Sequence, residues 1–350
     1  MKISVIIPVY NAQDTIIPCL EALIKQERLP DEILLVDNNS KDASIEKMQE
    51  FINQHPSFRI FLFKETKKGP SAARNKGLEY AQGEVIAFTD SDCIPYQDWL
   101  KNIAQLHEEN PDIDAFGGIA YIYNPQGVVQ KLEASDNIFD ATIQARKVEK
   151  RHEMLFGGII ATLNCSYKRK LLKDLGGFDE NLCIGEDVDL TIRSFDRGYK
   201  IIIWHPKLCV WHMPRKTWRL FLKKIFYYRL YLPVILKKHF KKRLYLELPK
   251  LGVKEFPFFC ELLITSNFIF LMSFIMLIIG FFKFSPFILA VFLAVAFFKF
   301  IKNLWLARQL IGLKFSFREL LILAILEVIK KGVSEGGKLC GAFKTGAFYL

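Results

Sequence analysis

The chain has 350 residues, 51% of them hydrophobic, and a formal net charge of +11. That length suits one large domain, or a domain with an appendage, and the apolar content is ample for a core. The positive charge is concentrated between Arg215 and Lys254, a stretch that contains thirteen Lys or Arg residues and one acid, Glu247. The rest of the chain is close to neutral, so we expect no nucleic acid partner.

The first ninety residues alternate between predicted strands and predicted helices. Residues 3–9, 32–36, 59–63 and 84–88 are short, nearly continuous apolar runs, which are typical of buried parallel strands. Helices are predicted between them, the first from the spacing of Ile16, Leu20 and Leu23. This alternation predicts a doubly wound α/β fold, Rossmann-like, with a mostly parallel sheet and helices on both faces.

Polar residues follow three of these strands: Asn11, Asp37 and the pair Asp90/Asp92. Ligands of open α/β sheets bind at the carboxyl ends of the strands, so this edge is the predicted site. Asp37 would accept a hydrogen bond from a nucleobase N–H or a ribose hydroxyl, or else form an Asx turn with the residues after it.

Asp90-Ser91-Asp92 places two carboxylates in one turn. They would share a divalent cation, Mg²⁺ or Mn²⁺, with phosphate oxygens of a substrate; the alternative is a polar turn without a metal. Residues 69–75 place Gly, Pro and small side chains at a helix start, where backbone N–H groups and Arg74 would meet phosphate. The same small residues would also allow close packing of helix on sheet.

Two further acids begin a predicted helix after Gly185. Glu186 or Asp187 would act as a general base on an acceptor hydroxyl, or would only compensate the helix dipole. His212 ends another apolar run, where it would be a metal ligand, a neighbour of a diphosphate, or a structural histidine. The seven cysteines form no CxxC pair and no metal-ligand cluster, which indicates reduced thiols in a cytosolic compartment.

In their order and spacing, six motifs resemble those of the inverting family 2 glycosyltransferases. The resemblance covers roughly residues 1–219 and implies a GT-A fold with a nucleotide-diphosphate sugar as donor. The motifs are Ile7-Pro8-Val9-Tyr10-Asn11, Val36-Asp37-Asn38-Asn39-Ser40-Lys41-Asp42, Ala73-Arg74-Asn75, Asp90-Ser91-Asp92, Gly176-Gly177-Phe178-Asp179-Glu180 and Gly185-Glu186-Asp187-Val188-Asp189-Leu190.

The resemblance also implies roles for single residues. Pro8 and Tyr10 would line the base pocket, and Asp37 would hold a uracil-like base, which favours a UDP-sugar. Asp90 would lie near the ribose or the sugar, and Asp92 would bind the metal together with His212. Asp187 would be the catalytic base of a single inverting displacement, supported by Glu186. The set of donor-binding residues expected on these grounds is Pro8, Tyr10, Asn11, Asp37, Asn39, Arg74, Asp90 and Glu186.

Two departures from the family pattern qualify this expectation. The second strand ends in Asp37-Asn38-Asn39 rather than the frequent Asp-Asp-Gly, so a second base-pocket carboxylate is absent. The Gln-x-x-Arg-Trp motif of processive members is not found after His212, which predicts the addition of one sugar or a few.

The C-terminal third predicts a membrane protein. Residues 262–282 carry no charge and are long enough to span a bilayer, and residues 284–301 return as a second span or as a re-entrant segment. We therefore expect three regions: a catalytic domain at 1–219, a basic juxtamembrane helical segment at 220–260, and a membrane hairpin with an interfacial helix at 261–350. The predicted location is the cell membrane, multi-pass, with the catalytic domain cytoplasmic.

These expectations define one leading function. It is metal-assisted, inverting transfer of a sugar to a lipid-linked or cell-surface saccharide acceptor at the membrane. The alternatives are a catalytically inactive, nucleotide-binding membrane scaffold and another nucleotide-sugar enzyme on the same fold. A nucleotidyltransferase would need a Gly-rich basic loop near Pro8, and none is present.

Overall fold

The computed structural model describes residues 1–137, 145–149, 154, 158–215, 217–240, 243–248, 252–257, 262–264, 317–345 and 348–349. They fall into two compact units, each made of two stretches of chain. The first unit is Met1–Asn124 with Phe139–Pro214, and the second is Pro125–Ile138 with Arg215–Leu350.

The described helices, numbered along the chain, are α1 to α9. Their bounds are Ile16–Ile24, Ser44–Gln54, Pro70–Tyr80, Trp99–Glu109, Val128–Asn137, Arg169–Asp174, Glu186–Asp196, Trp218–His239 and Phe317–Thr345.

The described strands are β1 to β15. Their bounds are Ile3–Val9, Glu32–Asp37, Ile60–Lys64, Val85–Thr89, Cys93–Pro95, Ala115–Gly117, Ile119–Ile122, Arg146–Lys147, Asn164–Lys168, Ile201–Ile203, Cys209–His212, Arg243–Leu248, Gly252–Pro257, Leu262–Ile264 and Phe348–Tyr349.

The first unit is built on an eight-stranded sheet in the order β3-β2-β1-β4-β9-β6-β10-β8. β3, β2, β1 and β4 are mutually parallel, and Val9 pairs with Asp37 at their carboxyl ends. β1, β2 and β4 are buried along nearly their whole length, as continuous apolar strands covered on both faces must be. The predicted α/β fold with a mostly parallel sheet is confirmed, and each of these four strands lies within one residue of its predicted bounds.

Beyond β4 the sheet changes direction, which the sequence did not predict. β9 pairs antiparallel with both β4 and β6, although more than 70 residues separate β9 from β4 along the chain. A separate three-stranded sheet, in the order β5-β11-β7, pairs His212 with Cys93 across β11 and β5. This small sheet therefore brings the chain after Asp92 next to His212.

The second unit contains α5, α8, α9 and a four-stranded sheet in the order β13-β12-β14-β15. Two glycines of α9 allow α8 and α9 to approach closely. A Cβ at Gly341 would lie 2.3 Å from the carbonyl oxygen of Leu230, and one at Gly337 would lie 2.6 Å from that of Phe226. A side chain at either position would push the two helices apart.

The predicted helical segment 220–260 is helical only in its first half. α8 ends at His239, and β12 and β13 then form an antiparallel hairpin in which Leu244 pairs with Phe256. Alternation of apolar and polar residues in 243–248 fits a strand better than a helix, because its period is two.

The prediction of a multi-pass membrane protein with a cytoplasmic catalytic domain is wrong. Leu262–Ile264, the start of the first predicted span, form β14 and pair with β12. Among the described residues, no helix is long and apolar enough to cross a membrane, since basic and acidic side chains interrupt α8 and α9. The rest of the predicted hairpin, residues 265–301, lies outside the described residues.

Candidate active site

A buried guanidinium joins the two acidic motifs of the sequence. Arg74 Nη1 donates to Glu186 Oε1 and Arg74 Nη2 donates to Asp90 Oδ1, both at 2.8 Å, and the Arg74 side chain is only 3% exposed. Burial alone would lower the pKa of Arg74, but the carboxylates of Asp90 and Glu186 raise it. Each terminal nitrogen of Arg74 thus donates one hydrogen bond to a carboxylate, a pairing that the sequence did not predict. The expected contact of Arg74 with phosphate stays a prediction.

Asp187 lies next to this ion-pair network at the start of α7. Its Oδ1 accepts a hydrogen bond from the backbone N–H of Val188 at 2.8 Å. Burial and then the neighbouring Glu186 raise the pKa of Asp187 to about 7. A carboxyl group with that pKa can take up and release a proton near neutral pH, which is what a general base must do.

The other acid of this helix start has a structural role. Asp189 is fully buried and pairs with Arg193 at 2.7 Å, and Arg193 also donates to the carbonyl oxygens of Leu175 and Gly177. These contacts hold the Gly176-Gly177 turn against α7. Of the three acids at the start of α7, Asp189 is thus excluded as the base.

Asn75 fixes the same turn from the side of α3. Its Nδ2 donates to the carbonyl oxygen of Phe178 and to Glu180, and its Oδ1 accepts from the N–H of Phe178. Gly177 has φ of 72°, and a Cβ there would lie 2.4 Å from Asn75 Oδ1. The motifs around Arg74 and Gly177 are therefore two halves of one support for α7.

Asp92 and His212 form a second cluster at the edge of the small sheet. His212 Nε2 lies 3.5 Å from Asp92 Oδ2, and the side chain of His212 is 8% exposed. The N–H of Met213 donates to the carbonyl oxygen of Asp92 at 2.8 Å, which ties the end of β11 to this turn. Asp90 and Asp92 contact different partners, Arg74 and His212 respectively.

Cys93 is the third residue of this cluster, contrary to the expectation that no cysteine lies in one. One ligand atom each of Asp92, Cys93 and His212 lies within 4.8 Å of the others. Burial, reinforced by Asp92 and Asp90, raises the pKa of the Cys93 thiol. A thiol binds a metal as the thiolate, so the raised pKa makes Cys93 a poorer candidate ligand than Asp92 or His212.

Asp37 forms the turn that the sequence left as one of two alternatives, and its role as an acceptor for a ligand stays a prediction. The residue is 2% exposed, and its Oδ1 accepts from the N–H of Ser40 at 3.2 Å. Its Oδ2 is buried without a hydrogen-bond partner among the described residues. A buried carboxylate oxygen without a donor is costly, which makes Oδ2 of Asp37 a candidate acceptor for an N–H group of a ligand.

The two asparagines after Asp37 explain the departure from Asp-Asp-Gly. Asn39 has φ of 66°, a left-handed conformation that Gly and Asn tolerate best. Its Nδ2 donates to the carbonyl oxygens of Glu65 and Thr66, while the Asn38 amide bonds the Lys67 carbonyl oxygen and the Gly69 N–H. Both amides fasten the loop after β3, so Asn39 is occupied by the protein itself.

Asn11, Pro8 and Tyr10 lie at the end of β1. Asn11 has φ of 50°, its backbone N–H donates to Ser40 Oγ, and its Oδ1 accepts from the N–H of Lys41, so it joins two loops. Tyr10 is 61% exposed and Pro8 is half-buried beside Val36, which leaves both side chains accessible to a ligand.

Asn164 holds the small sheet in place and was missed by sequence reasoning. Its Nδ2 donates to the carbonyl oxygens of Ile119 and Leu208, and its Oδ1 accepts from Trp99 Nε1, all between 2.8 and 2.9 Å. A single asparagine in an apolar run gives no signal of such long-range contacts. Asn75, in contrast, belongs to the motif Ala73-Arg74-Asn75, but the sequence did not indicate that it supports the turn before α7.

The chain is similar in sequence to known glycosyltransferases. A model of "Glycosyl transferase family 2" matches residues 4–176. Glycosyltransferase AglE of Haloferax volcanii is 32% identical over 58% of this chain and 64% of the relative. The amylovoran biosynthesis glycosyltransferase AmsB of Erwinia amylovora is 30% identical over 61% of this chain and 70% of the relative. The chain thus spans slightly less than two thirds of AglE and slightly more of AmsB.

Two solved structures resemble this one. Mannosyltransferase PcManGT from Pyrobaculum calidifontis, in complex with GDP-Man and Mn²⁺, gives a TM-score of 0.56 at 18% identity, over 98% of this chain and 86% of that chain. S. aureus TarS 1–349, in complex with UDP-GlcNAc, gives a TM-score of 0.50 at 19% identity, over 100% of this chain and 93% of that chain. At these identities the likeness shows the fold alone, and it confirms an α/β fold of the GT-A type.

Proposed function

Because this chain belongs to glycosyl transferase family 2, we propose that it transfers a sugar from a nucleotide-diphosphate sugar to a saccharide hydroxyl, with inversion at the anomeric carbon. Family membership confirms the predicted enzyme class, a glycosyltransferase. The donor, the acceptor, the stereochemistry and the residue roles are the proposal. A UDP-sugar is the favoured donor, and the acceptor is a saccharide, lipid-linked or free.

The bridge from Glu186 through Arg74 to Asp90 is the observation that carries this proposal. Asp90 follows β4 at the carboxyl edge of the sheet, and Glu186 immediately precedes Asp187. Arg74 therefore fixes the start of α7, with the proposed base, against the edge of the sheet where ligands of α/β folds bind. Arg74, Asp90 and Glu186 are positioning residues in this account.

Asp187 supplies the proton transfer of the reaction. Its carboxylate takes the proton of the acceptor hydroxyl as that oxygen attacks the anomeric carbon. The bond from the anomeric carbon to the diphosphate breaks in the same displacement, and its electron pair leaves with the diphosphate. Attack opposite the leaving group inverts the configuration of the anomeric carbon.

The nucleobase is the proposed partner of Asp37. Its unpartnered Oδ2 accepts a hydrogen bond from a ring N–H, a group that uracil and guanine both carry. Pro8 and Tyr10 at the end of β1 line the same edge of the sheet. The similar solved structures hold a UDP-sugar and a GDP-sugar, which supports a nucleotide-sugar donor without choosing between the bases.

Asp92 and His212 would hold a divalent cation. A carboxylate oxygen and an imidazole nitrogen 3.5 Å apart fit Mn²⁺ better than Mg²⁺, because imidazole is a softer ligand than the oxygens that Mg²⁺ requires. When bound, the cation offsets the charge that develops on the leaving diphosphate. Mn²⁺ is also present in the PcManGT structure.

The direct test is a donor screen followed by analysis of the product. Thermal shift with UDP-, GDP- and dTDP-sugars identifies the donor, and NMR of the product identifies the anomeric configuration. Stabilisation by a UDP-sugar and an inverted product are expected, with one or a few sugars added. Retention of configuration would contradict the single displacement by an acceptor activated at Asp187.

A further inference from the structure

The small sheet β5-β11-β7 has two faces of different chemistry. Val210 and His212 point to one face, where Val210 joins the hydrophobic core, and Trp211 points to the other because side chains alternate along a strand. Tyr121 pairs directly with Trp211 across β7 and β11, and Tyr123 lies two residues further on the same face. Trp211 is thus flanked by tyrosines on the side away from the core.

Four aromatic side chains meet on this outer face, and we call them the aromatic platform: Tyr96, Tyr121, Tyr123 and Trp211. The ring centroids of Tyr96, Tyr121 and Tyr123 lie 5.3, 5.9 and 6.2 Å from that of Trp211, so the indole is the centre of the group. Tyr123 is 42% exposed and the other three are half-buried. All four residues are aromatic, and none of them is acidic or basic in the way that Asp, Glu, Lys or Arg is.

We propose that the aromatic platform binds pyranose rings of the acceptor glycan. The electron-rich face of an aromatic ring attracts the polarised C–H bonds on one face of a pyranose. Tyrosine hydroxyls at the rim donate to and accept from the sugar hydroxyls. This ligand class rests on the proposed function, in which the acceptor is a saccharide. A neutral, hydroxyl-rich and partly exposed aromatic surface suits a sugar better than it suits a charged nucleotide.

The position of the platform indicates which part of the glycan it binds. Trp211 and His212 are adjacent in β11 but project from opposite faces of the small sheet. A saccharide on the platform must therefore pass round the edge of this sheet to bring its end to the Asp92–His212 side. The platform consequently contacts sugars remote from the reacting hydroxyl, and it favours an oligosaccharide over a monosaccharide.

Calorimetric titration of the full chain with hexasaccharides tests this proposal. The probes are β-linked glucose, β-linked N-acetylglucosamine and α-linked mannose hexamers. We expect at least one to bind, and Trp211→Ala and Tyr123→Ala to weaken its binding roughly tenfold. Tyr80→Ala is the matched control, because Tyr80 is 48% exposed and stacks on Phe63 away from the platform. It should bind the hexamer as the unmodified chain does.

Measuring UDP binding distinguishes a failure of the platform from a failure of the proposed function. UDP binding, measured on the same preparations, should be equal in the unmodified chain and in all three variants. Absence of UDP binding throughout would contradict the proposed donor and leave the hexamer titrations to decide the platform. Because Tyr123 is exposed, its substitution should leave the thermal midpoint unchanged. Binding of no hexamer, or equal binding by Tyr123→Ala, would overturn the proposal that the platform binds pyranose rings.

Discussion

Arg74 Nη1 lies 2.8 Å from the carboxylate of Glu186, a residue 112 positions further along the chain. This contact links the helix that follows β3 to the helix that presents Asp187. Glu186 therefore has two effects on the proposed base. Through Arg74 it fixes where α7 begins, and through its own charge it raises the pKa of Asp187.

Asp187→Asn should lower transfer by roughly 10²- to 10⁴-fold, because the amide cannot accept the proton of the acceptor hydroxyl. The dissociation constant for the UDP-sugar, measured by calorimetry, should change little. Asp112→Asn is a suitable control, since Asp112 forms an exposed ion pair with Lys200. Transfer at the unmodified rate in Asp187→Asn would remove Asp187 as the base.

The pH dependence of kcat/KM should report the raised pKa of Asp187. A base is active only when deprotonated, so activity should rise with pH through about 7 and fall below it. Glu186→Gln removes a negative neighbour, which should move this acidic limb to lower pH while lowering the maximum through loss of the Arg74 contact. An acidic limb at the same pH in both proteins would show that another group titrates.

Metal binding should depend on Asp92 and His212 but little on Cys93. Asp92→Ala and His212→Ala should each weaken Mn²⁺ binding by at least roughly tenfold, measured by paramagnetic resonance of free Mn²⁺. Cys93→Ala should retain most of the affinity, because burial raises the pKa of the Cys93 thiol and so disfavours the thiolate that would bind a metal. EDTA should abolish transfer by the unmodified chain. Full activity in EDTA would contradict the metal assignment.

Asp37→Ala should weaken UDP binding roughly tenfold to a hundredfold, the range expected for loss of a hydrogen bond to a charged acceptor. Asn39→Gly should bind UDP normally, since Gly adopts the left-handed conformation of Asn39 and the Asn39 amide contacts only Glu65 and Thr66 in the described protein. If Asn39→Gly loses the nucleotide and Asp37→Ala does not, the two roles are reversed.

Arg74→Ala should lower the free energy of unfolding by about 3 kcal/mol, the lower end for breaking a buried ion pair, because Asp90 is 32% exposed. Urea denaturation measures this change. The double variant Arg74→Ala with Glu186→Gln should recover part of the stability, since it removes the buried charge left without a partner. No recovery would mean that Arg74 stabilises the fold through packing on Phe178 instead.

The parallel half of the sheet was predictable from the sequence because its determinants are local. β1 and β4 are apolar runs closed by polar residues, and burial on both faces requires that composition. The antiparallel pairing of β9 with β4 and β6 was not predictable. The pattern of apolar and polar residues within a strand does not specify which other strand it pairs with. The same is true of the small sheet, whose short strands come from three distant stretches.

The candidate site likewise contains residues that could be predicted from the sequence and contacts that could not. Asp37, Asp92, Asp187 and His212 stand at the ends of strands or the start of a helix, where sequence reasoning finds them. The occupation of Arg74 by two carboxylates, and of Asn39 by two carbonyl oxygens, depends on contacts between distant segments. Residue type and spacing indicate that such groups are polar and near the site, but they do not indicate which of their atoms already form hydrogen bonds within the protein.

Trp211 and His212 are neighbours in β11 and project from opposite faces of the small sheet. The proposed glycan contact of Trp211 and the proposed metal contact of His212 therefore both depend on how β11 is aligned with its neighbouring strands. Because β11 is paired on both sides, by β5 and by β7, its side chains cannot rotate independently of the ladder. Inserting one residue into the turn at 205–208 would exchange the faces of the two side chains, so that the indole of Trp211 would take the place of the imidazole beside Asp92. Natural variants of this enzyme should therefore tolerate length changes elsewhere in the loops while keeping the length of this turn constant.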